Sequence, residues 1–146
     1  MPDGQPAPPN DPSIKSADAL QVLEAGTPTS RIVDATKDFQ IAMEFEFAGG
    51  MAAGLVASPL KYTITYYYDQ LGGPSEGTLG SVSKDTKAGE LKYNATTPAG
   101  SETLLNVPAG TLAKGSYQLN SEVTFKIGAV PQGLYAFTQG TGIQIV

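Results

Sequence analysis

The chain has 146 residues, 14 acidic against 9 basic for a formal charge of −5, and no cysteine, histidine or tryptophan. That composition excludes disulfides, thiolate nucleophiles, zinc–thiolate sites and the usual neutral-pH base. The single arginine, Arg31, leaves no fork for phosphate or base-edge recognition, so no nucleic-acid partner is expected.

The length suits one domain with a real core. Five of the first twelve residues are proline, with almost nothing apolar between them. Such a stretch cannot bury enough surface to offset ordering, so residues 1–15 are assigned to a flexible, disordered Pro-rich tail and 16–146 to one domain. The start has neither the basic residues nor the apolar run of a signal peptide, and no stretch approaches the ~18 apolar residues that span a bilayer. The expected location is therefore the cytoplasm, or a particle assembled there, with no membrane span.

Residues 16–25 could form a helix capped by Ser16 or Asp18, but the short apolar pieces 19–24 and 32–33, set around Gly26 and Pro28, suit a split first strand better. Next, Phe39, Ile41, Met43, Phe45 and Phe47 alternate with Gln40, Ala42, Glu44 and Glu46, which predicts one half-buried strand over 39–47. The same period returns in Tyr62, Ile64, Tyr66 and Tyr68, and again in Tyr117, Leu119, Val123, Phe125 and Ile127. Weaker strands are expected at 77–83, 90–95, 102–107, 135–138 and 142–146, each bounded by turn residues. Strands at this spacing, with no room for crossover helices and no fixed repeat, predict an all-β antiparallel sandwich.

Leu112, Gly115 and Tyr117, with Tyr117 opening an alternating strand, resemble the tyrosine corner of immunoglobulin-like and fibronectin type III-like sandwiches, and the resemblance covers about residues 30–146. It implies an immunoglobulin-like β-sandwich in which the Tyr117 hydroxyl bonds to backbone near residues 109–113. The cysteine pair and core tryptophan of antibody domains are absent, so only the general sandwich carries over. On that map strands B, C, E, F and G fall at 39–47, 61–68, 102–107, 117–127 and 135–146, and the loops after B and F share one end.

Those two loops, 48–59 and 128–134, contain no charge, whereas loops in water are normally polar. Their apolar residues Met51, Leu55, Val56, Val130 and Leu134 either fold inward as a plug or form a contact with a protein partner. The contact reading predicts a non-catalytic structural or accessory module, a subunit of a larger assembly or self-associating, with the final strand edge as an alternative site of strand addition. Parity puts one ring of the Tyr66-Tyr67-Tyr68 run, Tyr67, on the outer face beside Thr63 and Thr65. An outward aromatic there predicts the alternative function, a carbohydrate-binding module that stacks sugar on Tyr67.

No catalytic machinery is expected. Glu44 and Glu46 share a face but lack an orienting set, and read as solvated. Asp69, Glu76 and Asp85 do not follow calcium-loop spacing, and the Gly49–Gly54 run lacks the spacing and lysine of a nucleotide loop, so neither metal nor cofactor is expected. Asn94-Ala95-Thr96 matches a glycosylation acceptor, with a turn-flanking triplet as the simpler reading.

Overall fold

Period-2 alternation of apolar residues dominates the chain and yields strands almost throughout. A computed structural model describes residues 13–29, 31–50, 52–58 and 60–146. In chain order the elements are β1 (Ser13–Ser16), β2 (Gln21–Glu24), β3 (Thr27–Pro28), β4 (Ile32–Val33), β5 (Phe39–Ala42), β6 (Phe45–Ala48), α1 (Ala52–Ala57), β7 (Leu60–Gln70), β8 (Glu76–Asp85), β9 (Lys92–Tyr93), β10 (Leu105–Val107), β11 (Gly115–Ile127) and β12 (Val130–Ile145). One layer is a five-stranded sheet in the order β4-β12-β11-β7-β8. The other layer is split into β1-β6-β9 and β10-β5-β2-β3. Pairing is antiparallel everywhere except between β4 and the end of β12. The chain is an antiparallel β-sandwich.

The core lies between the layers. Tyr62, Ile64 and Tyr66 of β7 and Tyr117, Leu119, Val123 and Phe125 of β11 meet Phe39, Ile41, Met43, Phe45 and Phe47 from the split layer. Phe45 is the hub of an aromatic cluster, stacked on Tyr93 at 5.3 Å and edge-on to Phe47, Tyr62 and Phe125 at 5.5–5.9 Å. Edge-to-face pairs of this kind add about 0.5–1.5 kcal/mol each beyond the area they bury. A smaller apolar cluster, Leu23, Ala42 and Ala95 with Leu104, sits apart from the main core, on the opposite-parity side of β2 and β5.

Several expectations change. Residues 13–15, expected in the tail, pair with β6 as part of β1; residues 1–12 lie outside the described residues. The single strand over 39–47 is broken at Met43 and Glu44, so β5 and β6 belong to different sheets. The strands expected at 135–138 and 142–146 are one long strand, β12, which begins at Val130 and ends at Ile145. The loop after β11 therefore shrinks to Gly128 and Ala129, with Gly128 at φ +59° in the position a type II′ turn reserves for glycine. The other uncharged loop contains α1.

The two loops do share one end, since Leu60 at the start of β7 pairs with Ile127 at the end of β11. There Ala52 and Val56 are buried, and Leu55, Ile127 and Leu134 pack against the core while partly exposed. Val130 is exposed at 64%. Val56 is thus a core residue and has no surface to offer a partner. Met51 lies outside the described residues.

Candidate functional site

The corner is formed by the Tyr117 hydroxyl, which donates to the Ala113 carbonyl at 2.7 Å, four residues upstream. Its ring is 2% exposed and packs edge-on to Tyr68 at 6.1 Å. Tyr117 therefore ties the loop ahead of β11 to the core, and its role is structural.

The outer face of the five-stranded sheet carries the chemistry. Because alternate residues of β7, β8, β11 and β12 point away from the core, register sets out rows of side chains across the strands. One row is Thr78, Tyr67 and Asn120; the next is Ser81, Thr65, Glu122 and Phe137; the third is Ser83, Thr63, Thr124 and Tyr135. A β-bulge sets Gln139 and Gly140 of β12 against Asn120 alone. Gly140 holds φ +79°, and its N–H donates to the Asn120 Oδ1 at 3.0 Å, which fixes that amide.

Tyr67, Gln118, Asn120, Glu122, Phe137 and Gln139 line an open recess of about 610 Å³ on this face. A second, more apolar recess of about 440 Å³ adjoins it, sharing Glu122 and bounded by Thr124, Leu134 and Tyr135. Phe137 and Tyr135 are 48% and 62% exposed and meet edge-on at 5.3 Å, so two aromatic rings stand in water along one strand. Tyr67 is half-buried on the far side of the first recess. Two large exposed aromatics within three residues form an apolar ridge that solubility alone does not call for.

Tyr67 thus lies where parity placed it, but with companions the sequence reading missed. The signal was available: Ala136 and Thr138 are the buried members of the Tyr135 to Thr138 segment, which leaves Tyr135 and Phe137 outside. Small residues facing in and aromatics facing out is the reverse of an ordinary surface strand.

The remaining candidates disperse. Glu44, in the break between β5 and β6, pairs with Lys92 at 3.1 Å, and Glu46 sits opposite both Lys15 and Lys92. Asp69 faces Glu76 across the β7–β8 ladder, and Asp85 faces Lys61 at its other end. Among the described residues no three acidic side chains converge to hold a metal ion. Asn94 Oδ1 accepts from the amides and hydroxyls of both Thr96 and Thr97 at 3.0–3.2 Å, so the Asn94-Ala95-Thr96 triplet organises a turn. No helix among the described residues is long and apolar enough to cross a membrane.

No protein-family profile matches the chain, and no curated protein matches it in sequence. Among solved structures, the C-terminal domain of Wzt aligns with 94% of this chain and 75% of its own, at 11% identity and a TM-score of 0.52. That likeness is one of fold, a β-sandwich. The superoxide reductase (neelaredoxin) of Ignicoccus hospitalis aligns with 92% of this chain and 80% of its own, at 15% identity and a TM-score of 0.40.

Proposed function

We propose that this sandwich is a non-catalytic carbohydrate-binding module whose ligand lies on the outer face of the five-stranded sheet. The observation that carries the reading is the pairing of outward-facing rings with amides: the exposed Phe137 and the half-buried Tyr67 line a recess together with Gln118, Asn120, Glu122 and Gln139, the Asn120 amide being held by the Gly140 N–H. Sugars present apolar C–H faces and a rim of hydroxyls that both donate and accept. Rings stack on the former, while amides and a carboxylate bond the latter. The neighbouring rows supply further hydroxyls from Thr63, Thr65, Ser81, Ser83 and Thr124.

The test is affinity electrophoresis of the intact chain through gels containing soluble polysaccharides, beside Phe137→Ala and Tyr67→Ala. Covering an aromatic ring contributes about 1.5–3 kcal/mol, so each substitution should weaken retention roughly ten- to a hundredfold. Both rings face outward, and the melting temperature should stay within a few degrees. Retention that survives both substitutions would remove this face as the binding site.

A protein-contact reading keeps one supporting feature. From Val130 to Ala136 the edge of β12 away from β11 has no strand neighbour among the described residues, and Val130 stands exposed beside it. An open edge of this kind accepts an added strand. Pro131 interrupts its donors, which favours the sheet face over the edge as the main site.

A further inference from the structure

The placement of charge on the same face says which carbohydrates it takes. Among the described residues Glu122 is the one charged side chain lining the first recess, and it also lines the second together with Lys126. It is half-buried and makes no ion pair within 4.0 Å among the described residues. Its cross-strand neighbours are Thr65 and Phe137, both uncharged.

Among the described residues the nearest cations on these strands lie further along them, Lys126 on the wall of the second recess. Lys126 and Lys61 face one another four positions from Glu122 and Thr65, with Asp85 beyond Lys61. In the other direction Asp69 and Glu76 form the next charged row, four positions from Thr65. Four residues of strand separate the backbones of these rows by about 13 Å, and no lysine among the described residues comes within 4.0 Å of the Glu122 carboxylate. Lys126 shares the second recess with Glu122 but does not line the first and makes no ion pair with Glu122, so the first recess is a site with one negative charge.

We infer that Glu122 selects uncharged, hydroxyl-rich glycan chains and excludes those carrying carboxylates or sulfates. A carboxylate accepts from sugar hydroxyls on several lone pairs, and charge-assisted bonds of this type are roughly twice as strong as neutral ones. An anionic sugar in the same position brings a second negative charge beside an unpaired first one. Specificity then arises from repulsion as much as from attraction.

This inference rests on the carbohydrate reading, and the experiment separates the two. Dextran, mannan and xylan, each with its carboxymethylated form, are compared for retention of the intact wild-type chain, Glu122→Gln and Phe137→Ala. The expected result is retention by at least one neutral polymer, at least tenfold weaker retention by its carboxymethylated form, and loss of retention in Phe137→Ala. Glu122→Gln should shrink the tenfold gap to about twofold or less while keeping the neutral polymer bound. Equal retention of neutral and carboxymethylated polymer by the wild type, or an unchanged gap in Glu122→Gln, overturns the role of Glu122 and leaves the carbohydrate reading standing. Absence of retention on every polymer, or retention indifferent to Phe137→Ala, removes the carbohydrate reading and this inference with it.

Discussion

The Tyr66 hydroxyl accepts the Met43 N–H at 2.9 Å, across the core from β7 to the gap between β5 and β6. It donates in turn to the Thr103 carbonyl at 2.6 Å, and the Thr103 hydroxyl donates to the Met43 carbonyl at 2.6 Å. Met43 is 0% exposed, and a strand that changes sheets there loses its ladder partners. Both backbone groups of Met43 are instead satisfied by side chains, which is what allows a buried break in the middle of one layer.

Tyr66→Phe keeps the ring and strands the Met43 N–H. A buried donor without a partner costs about 1–3 kcal/mol, so the urea midpoint should fall accordingly, with the fold retained. Thr103→Val should destabilise similarly through the Met43 carbonyl. Because both act on the backbone of one residue, the double variant should lose less than the sum, and a double-mutant cycle measures the difference.

Burial pushes the Tyr66 and Tyr62 phenols well above the ordinary tyrosine range, and that of Tyr93 upward as well. For Tyr66 the bond accepted from the Met43 N–H opposes the effect without cancelling it. The neutral phenol is the form favoured in the fold. The associated stability is therefore complete below the unfolded pKa of about 10 and declines as pH rises beyond it. Absorbance at 295 nm should show only part of the seven tyrosines ionising near pH 10, the remainder appearing together with loss of the folded circular-dichroism signal. Simultaneous ionisation of all seven near pH 10 in a folded chain would contradict this.

Ser121 faces the core at 2% exposure, and its hydroxyl has no hydrogen-bond partner. An unsatisfied buried hydroxyl is a standing cost, so Ser121→Ala should raise stability by about 1 kcal/mol, read from the shift in denaturation midpoint. Ser121 borders the first recess, but its side chain is buried, so polysaccharide retention on the proposed binding face should not change.

The uncharged end of the sandwich separates into two behaviours. Val56→Ser removes apolar volume from a buried position on α1 and introduces a hydroxyl, and should cost about 2–4 kcal/mol. Val130→Ser alters an exposed residue and should stay within about 0.5 kcal/mol. Equal effects at the two positions, measured by thermal unfolding, would mean that α1 does not close that end.

Tyr117→Phe deletes only the bond to the Ala113 carbonyl. The expected loss is about 1 kcal/mol of stability with unaltered polysaccharide retention, which distinguishes a structural tyrosine from the exposed rings.

The periodicity of the chain was sufficient to read β7, β11 and the two halves of the 39–47 segment, because a side-chain period of two is a local property that each strand carries whatever its partners. It was also sufficient to place Tyr67 outward and to mark the Tyr117 corner, both matters of parity and near neighbours. The break at Met43 lay beyond it: alternation continues through 43 and 44, and only Tyr66 and Thr103, 23 and 60 residues away, make the break affordable. The proposed binding face lay beyond it for the same reason. Tyr67, Glu122 and Phe137 become neighbours through the register of three strands and a bulge at Gly140, and register is set by hydrogen bonds between segments that are distant in the chain.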